Sequence, residues 1–292
     1  MKKYLNKAKT LVKPLYLLYL NICHILKWHS QFVRSKQEGL VPEHLNALEI
    51  TKDDRVVILA PHADDEWIGS YSVLNLQCAS ISCVYFNLYG EDASESNVKT
   101  RNAEIKASSD YWGFHLIHNH NYDINSLLEV LGNATVCFIP SPYDWHIEHR
   151  KVFQTFVKSY ERLTNDEKRN LSVYYYCVSV PHSVKECQYY LPLTRKDLYE
   201  KWTQFKKIYV SQSFMPARRY QYQLRLVPSA LGYAAQTFLK ADQKRIEYDL
   251  EKTQDSLFVK SIRKAQLFIN NIYKIRVYLD SVIYEKDWFK EC

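Results

Sequence analysis

The chain has 292 residues, of which 47% are hydrophobic and 24% are charged, so it is long enough to bury a core in one large domain or in one domain with additions. Its 39 basic and 32 acidic residues give a net charge of +7. This excess is too small to argue for a nucleic-acid-binding protein, although it is compatible with phosphate-bearing or membrane-bound substrates.

The first of three predicted regions covers residues 1–50. Five lysines precede an apolar run over 15–26, and Lys27 follows that run. The run has about 12 residues, fewer than the ~20 that a bilayer-spanning helix needs, and no small-residue signal-peptide cleavage site follows it. We predict a basic helix that either makes peripheral contact with a membrane through residues 1–30 or packs on the protein's own core.

Strand and helix patterns alternate between residues 51 and 180. The predicted strands cover 56–60, 81–88, 114–117, 135–139 and 171–180, and the predicted helices cover 66–76, 98–112, 126–131 and 149–163. This alternation is typical of βαβ units. It predicts an α/β fold in which a Rossmann-like, mostly parallel sheet is flanked by helices.

The pattern changes to helices after residue 191, with predicted helices over 196–211, over 218–239 and from 242 onwards with interruptions. We place a domain boundary at residue 240, so that an α/β domain over 51–240 is followed by a helical C-terminal extension over 241–292. The later helices are predicted to form a cap beside the functional site or an interaction surface, and a charged, solvated face is the default interpretation.

Cysteine usage indicates the compartment. The seven cysteines include no Cys-x-x-Cys pair, and several lie within apolar segments. Buried free thiols are typical of a reducing environment. We therefore predict a cytoplasmic protein, with association at the inner face of a membrane as the alternative.

The first chemistry-bearing segment follows the strand over 56–60. Pro61 ends this strand because it has no N–H to donate to the sheet. His62 and Asp65 then lie three positions apart at the edge where α/β sheets bind ligands, and His and carboxylate are ligands of catalytic zinc. Asp64 can face the metal-bound water and accept its proton. The alternative is that Asp64, Asp65 and Glu66 only cap the following helix and favour its dipole.

A second segment repeats this arrangement after the strand over 135–139. Pro140 ends the strand, and His146 and His149 lie at helical spacing, so they share one face of the next helix. His149 is a candidate third ligand. His146 would lie beside the open coordination position, where it can stabilise an oxyanion or protonate a leaving amine. Histidines at this spacing are otherwise often solvated or packed.

These residues resemble a known family. Pro61-His62-Ala63-Asp64-Asp65-Glu66 is similar to the Pro-His-Pro-Asp-Asp-Glu signature of the PIG-L/LmbE zinc-dependent de-N-acetylases, and His146-Ile147-Glu148-His149 resembles their His-Pro-Asp-His motif. Arg101 with Glu104 matches the family's Arg-x-x-Glu helix. Ser211-Gln212 and Gly232-Tyr233-Ala234 resemble its C-terminal signals. The resemblance covers roughly residues 50–240, and Gln236 lies where we expect an acidic residue.

The resemblance implies a zinc hydrolase that removes the acetyl group from N-acetylglucosamine-type sugars or glycoconjugates. It implies that His62, Asp65 and His149 bind Zn²⁺ or another divalent metal. Asp64 is then the general base, and His146 is the second catalytic residue.

Three further residues acquire roles through the same resemblance. Arg101 is expected to contact the sugar or an attached phosphate. Asp144 and Glu148 are candidates to orient the neighbouring histidines. Ala63 and Ile147 replace family prolines without removing a ligand.

Two other functions stay open. One is a related metal-dependent amidase that acts on a non-sugar or thiol conjugate, and the other is an inactive membrane or partner-binding scaffold with the same fold. Several further residues are less informative. The loop over 89–97 is a candidate substrate loop, His182 is a candidate to line the pocket, and three histidines are expected on the surface or in loops: His115, His118 and His120.

Overall fold

The computed structural model of the protein describes residues 45–254 except 78, 88–93, 145, 183–185, 214, 216 and 227–232, together with positions 12, 14–16, 18, 19 and 22, which are helical. Several predictions therefore lie outside the described residues: most of the segment over 1–30, positions 89–93 of the candidate substrate loop, Gly232, and the extension beyond 254. The division into regions 1–50, 51–240 and 241–292 stays a prediction.

Strands and helices alternate through most of the described chain. The strands are β1 (Asn46–Ala47), β2 (Arg55–Ala60), β3 (Ser80–Tyr85), β4 (His115–His118), β5 (Val136–Pro140), β6 (Ser172–Tyr176), β7 (Tyr189–Leu193) and β8 (Ala234–Ala241). The helices are α1 (Asp65–Leu76), α2 (Glu95–Trp112), α3 (Ile124–Gly132), α4 (Ile147–Glu161), α5 (Asn165–Asn170), α6 (Arg195–Ile208), α7 (Ala217–Leu226) and α8 (Gln243–Gln254), and a 3₁₀ turn covers Val210–Gln212.

The strands form one eight-stranded sheet in the order β1-β7-β8-β6-β5-β2-β3-β4. All neighbouring strands are parallel except at β8, which runs antiparallel to both β6 and β7. The prediction of an α/β fold with a mostly parallel sheet is confirmed. β2 lies between β5 and β3, so the segments that follow β2 and β5 emerge side by side at the carboxyl edge of the sheet.

β2 is buried on both faces, as its apolar sequence without alternation predicts. Val56 and Ile58 pack into a cluster with the aromatic side chains of α1 and α6, whereas Val57 and Leu59 pack into a second cluster with α3 and α4. Gly69 of α1 permits the close approach of this helix to β6, because a Cβ atom there would lie 2.0 Å from the ring of Tyr176.

One predicted helix is wrong in its second half. The sequence predicts a helix over 218–239, but α7 ends at Leu226 and β8 begins at Ala234. β8 pairs with strands on both sides, and Ala235, Phe238 and Leu239 are buried. Pairing with two neighbouring strands therefore overrides the local helical preference of this segment.

Two further sequence predictions concern surfaces and thiols. Cys83 and Cys137 are buried free thiols, as expected. His115, His118 and His120 are exposed, which confirms their prediction as surface histidines. Within the described part of the chain, no helix combines the length and the apolar character needed to cross a bilayer.

Candidate metal centre

The turn after β2 positions Asp64 and Asp65 differently from a simple helix cap. Asp64 lies at the N-cap position of α1, but its side chain makes no capping hydrogen bond. Its φ of 136° lies in a region that non-glycine residues rarely adopt. Such strain costs about 1–3 kcal/mol and is concentrated at functional sites. The Asp65 carboxylate accepts a hydrogen bond from the backbone N–H of His62 at 2.8 Å, which closes the turn.

Three side chains from the two strand ends converge on one point. His62 Nδ1 lies 3.1 Å from Asp65 Oδ2, and His149 Nε2 lies 3.2 Å from each of these two atoms. His149 comes from the first turn of α4, which follows β5, and it is buried together with Asp65. Residues that are more than eighty positions apart in the sequence therefore present one nitrogen or oxygen atom each to the same small space.

The geometry and the chemistry of these three atoms fit a divalent metal. A tetrahedral ion with ligands at about 2.0–2.1 Å has ligand–ligand separations of about 3.3 Å, close to the three distances observed. Burial disfavours a charge on His149, but Asp65 and Asp144 outweigh it and raise its pKa to about 10. Burial also opposes ionisation of Asp65, yet the two histidines hold its pKa well below its usual range. The surroundings thus favour positive charge at this point, and the His62–Asp65–His149 cluster could bind a metal.

The segment after β5 supplies the support for His149. Asp144 Oδ2 lies 3.5 Å from His149 Nδ1 and accepts a hydrogen bond from the Ser179 N–H at 2.9 Å. Asp144 Oδ1 accepts from the backbone N–H of His146 at 3.0 Å. Glu148 lines the adjoining cavity, whereas the carboxylate beside a histidine ring in this segment is that of Asp144. Asp144 therefore forms an ion pair with the ring of His149 and fixes the start of α4.

The ring of His146 lies close to the cluster. Its centroid is 5.6 Å from that of His62 and 5.3 Å from that of His149. Burial lowers the pKa of His146, and Asp144 opposes this effect. The ring is thus beside the candidate metal point and at the cavity wall, with its side chain only partly buried.

Arg101 is held by two carboxylates. Its Nη2 lies 3.1 Å from Asp64 Oδ2, and its Nη1 lies 3.2 Å from Glu104 Oε2 and donates to Ser211 Oγ at 3.3 Å. Glu104 in turn accepts from the backbone N–H of Ser211 at 2.7 Å. Burial raises the pKa of Asp64 to about 6, although Arg101 opposes the rise. The structure therefore brings Arg101, Glu104 and Ser211, all singled out in the sequence, into one network that ends on Asp64.

Sequence reasoning missed the role of Glu66. Its carboxylate is buried, accepts from the backbone N–H of Asp64 at 3.2 Å and accepts from Ser108 Oγ at 2.8 Å. The Tyr209 hydroxyl also donates to it. Burial raises the pKa of Glu66 to about 7. In the sequence, Glu66 is the third acid in succession and the last residue of the family motif, and neither signal predicts more than a place in the first helical turn.

An open cavity of about 460 Å³ adjoins the cluster, within the ~300–1,000 Å³ range of small-molecule pockets. Its far wall comes from α2, the 3₁₀ turn and α7, and includes Asn97, Thr100, Gln212, Met215 and Tyr220. Part of the region predicted as a cap therefore lines the cavity. His182 is buried, and its Nε2 lies 3.0 Å from the carbonyl oxygen of Tyr175, so that nitrogen contacts the sheet.

Comparisons with known proteins support the fold. Neither protein-family models nor curated proteins give a match. Among solved structures, the conserved protein TT1542 from Thermus thermophilus is similar with a TM-score of 0.51 and 18% identity, over 64% of this chain and 94% of that one. GalB, the 4-carboxy-2-hydroxymuconate hydratase from Pseudomonas putida, has a TM-score of 0.46 and 12% identity, over 65% of this chain and 96% of that one. The likeness to TT1542 concerns the fold alone. The protein is therefore an α/β protein, and its own side chains form a candidate metal centre at the carboxyl edge of the sheet.

Proposed function

We propose that the protein is a metal-dependent hydrolase that removes the N-acetyl group from an N-acetylglucosamine-type sugar or glycoconjugate. The observation that carries the proposal is the convergence of His62, Asp65 and His149 beside the buried Asp64, at the base of an open cavity. The resemblance of the two strand-end motifs to the PIG-L/LmbE de-N-acetylases gives the reaction type.

The three converging side chains would hold the metal. Zn²⁺ or another divalent cation bound by His62, Asp65 and His149 would lower the pKa of a coordinated water and polarise the amide carbonyl. Asp144 keeps His149 oriented for this purpose. The raised pKa of His149 has the same electrostatic origin as metal affinity, because two carboxylates flank the ring.

The residues around the candidate metal site would carry out proton transfer. Asp64 accepts a proton from the attacking water as the new C–O bond forms at the acetamide carbon. His146 stabilises the negative charge that develops on the carbonyl oxygen. The C–N bond then breaks, acetate is released, and the amine receives a proton from Asp64 or from His146. Arg101 holds the Asp64 carboxylate in place, and its remaining N–H donors are available for a sugar hydroxyl or an attached phosphate.

The cavity wall suits a sugar. Asn97, Thr100 and Gln212 offer hydrogen-bonding groups, whereas Met215 and Tyr220 offer apolar surface for a pyranose ring or an acetyl methyl group. The open form of the cavity is compatible with a glycoconjugate whose remainder extends into solvent.

The test is an acetate-release screen over N-acetylglucosamine, its glycosides, a nucleotide-linked form and a lipid-linked form. We expect release from at least one of these, loss with a chelator, and recovery with Zn²⁺. Asp64→Ala should retain the metal and lose nearly all turnover. Full activity of that variant would remove Asp64 from its role.

The other two functions give different results in the same experiment. A chelator-sensitive cleavage of a larger acyl group, without acetate release from any N-acetylated sugar, would replace the proposal with a general amidase. A protein that purifies without stoichiometric metal and cleaves neither class of amide would instead be a scaffold.

A further inference from the structure

Large apolar side chains that the described residues expose are concentrated in one short helical stretch. Six of the twelve lie within positions 12–22 and have exposed fractions from 46% to 68%: Val12, Leu15, Tyr16, Leu18, Tyr19 and Ile22. At 3.6 residues per turn, these positions fall within an arc of about 160°. We call them the N-terminal apolar face. A cluster of this kind is unusual on a soluble surface and marks an interaction site.

The net charge of the protein originates in the same part of the sequence. Residues 1–37 contain eight basic residues and no acidic residue. The other 255 residues contain 31 basic and 32 acidic residues and are therefore almost neutral. The apolar face is thus embedded in a segment with eight positive charges, whereas the α/β body has no comparable excess.

The apolar face and the positive charge of its segment together indicate which kind of surface binds there. A second copy of the chain would bring sixteen like charges together, which disfavours self-association through this segment. An anionic bilayer surface offers an apolar layer for the leucine and tyrosine side chains and negative head groups for the lysines. The apolar run over 15–26 is too short to cross a bilayer, so the helix would lie in the interface.

We infer that the N-terminal apolar face binds an anionic lipid surface as an interfacial helix and attaches the protein peripherally. Binding of this type is reversible and weakens with ionic strength, because the lysine contribution is screened. The inference is independent of the reaction proposed above, since it needs neither metal nor substrate.

The test is co-sedimentation of the full chain with vesicles of phosphatidylcholine alone or of phosphatidylcholine with one third phosphatidylglycerol. We expect binding to the anionic vesicles, at least tenfold weaker binding to the neutral ones, and release at high salt. Leu15→Glu with Leu18→Glu should abolish binding. Replacing Lys7, Lys9 and Lys13 by Gln should weaken it by about fivefold per lysine, roughly 100-fold together.

The matched control is Tyr199→Glu, which places a charge at an equally exposed aromatic position on α6 and should leave vesicle binding unchanged. Circular dichroism of each variant verifies folding. Equal binding to neutral and anionic vesicles, or unchanged binding of the lysine variant, would overturn the inference. So would a lipid-free dimer that Leu15→Glu dissociates, because the face would then bind a second copy.

Discussion

The two loops at the candidate metal centre perform similar tasks but are held in different ways. The first loop (residues 61–65) follows β2 and includes the first residue of α1, and the second loop (residues 141–149) follows β5 and includes the first turn of α4. The first is held by Arg101 and Glu66, which contact Asp64 directly. The second is held through Tyr143, whose hydroxyl donates a hydrogen bond to Asp249 of α8.

The support of the second loop continues into a group of ion pairs. Arg245 Nε donates to Asp249 at 2.7 Å, and Arg245 Nη2 donates to Glu186 at the same distance. Asp249 is fully buried and lies apart from the cavity lining. The groups that support the two loops therefore have different roles. Arg101, which holds the first loop, also opposes the rise that burial causes in the pKa of Asp64, whereas the groups that hold the second loop affect its position alone.

Removing a ligand from either loop should have the largest effect. His149→Ala takes one donor from the second loop, and Asp65→Ala takes one from the first. Each should lower metal affinity by more than about 100-fold, since even residues that only orient ligands contribute 10–100-fold. Metal content after equilibrium dialysis measures the effect.

An exposed histidine provides the control for this experiment. His118→Ala on β4 should keep the wild-type metal content. If His149→Ala bound as much metal as the wild type, the second loop would have no part in the site, and the two-loop comparison would fail.

Arg101→Gln tests the support of the first loop. Without the guanidinium, the buried Asp64 loses its charged partner, so we expect kcat to fall by about 100-fold with metal content unchanged. Ser211→Ala, which removes the hydroxyl that contacts Arg101 and Glu104, should lower kcat less. Steady-state kinetics on the acetate-releasing substrate measure both.

The matched control is Arg169→Gln, because Arg169 is exposed and pairs with Asp166. A rise in KM with unchanged kcat in Arg101→Gln would assign Arg101 to substrate binding instead of to Asp64. That result would support the role that the family resemblance implied.

Much of the first loop could be predicted from the sequence because its signals are local. The first motif places an apolar run, a proline and three acids within eleven residues. The two histidines of the second motif, His146 and His149, lie within four residues. Parallel strands meet at one edge, so two such strand ends are expected to be neighbours. Arg101, Glu104 and Ser211 were visible only through the family resemblance, and the network that joins them required coordinates.

The support of the second loop could not be predicted, because its partners lie far away in the sequence. Tyr143 and Asp249 are separated by 106 positions, and a single tyrosine or aspartate carries no periodic signal.

The same holds for Gln236 on β8. Its amide accepts from the Ser72 N–H and donates to the Ile68 carbonyl, both at 2.8 Å, and so bridges a kink at Ser70 in α1. A carboxylate could not donate to that carbonyl, which gives the amide a physical reason.

Tyr143→Phe tests the support of the second loop. It removes one hydrogen bond from a buried carboxylate, and we expect the free energy of unfolding to fall by about 1–3 kcal/mol. Because Asp249 does not line the cavity, kcat at temperatures well below the melting point should change by less than about tenfold. Urea unfolding and kinetics measure the two effects, with Tyr199→Phe as an exposed control. A loss of kcat as large as that of Arg101→Gln would show that the support of the second loop also affects catalysis.

The smallest effect on activity is expected from Lys201 of α6, which supports the helix after the first loop. Its Nζ donates to the Ile68 carbonyl at 2.9 Å and lies 5.3 Å from the ring centroid of Tyr71. Burial lowers the pKa of Lys201 to about 7 from an ordinary value of 10.5. Between these two values the unfolded chain binds a proton that the folded chain lacks, so this lysine makes stability rise with pH across that window. Below about pH 7 the burial penalty is complete and constant.

Lys201→Met isolates this contribution, because the thioether chain fills similar space and does not titrate. The wild type should gain about 3 kcal/mol of unfolding free energy relative to the variant between pH 7 and pH 10, as measured by urea unfolding. Metal content and kcat at pH 7 should stay close to wild type, since Gln236 still binds the Ile68 carbonyl. Parallel stability curves for the two proteins would mean that Lys201 stays charged in the fold. A concurrent loss of metal would mean that the ligands of the first loop depend on the position of α1.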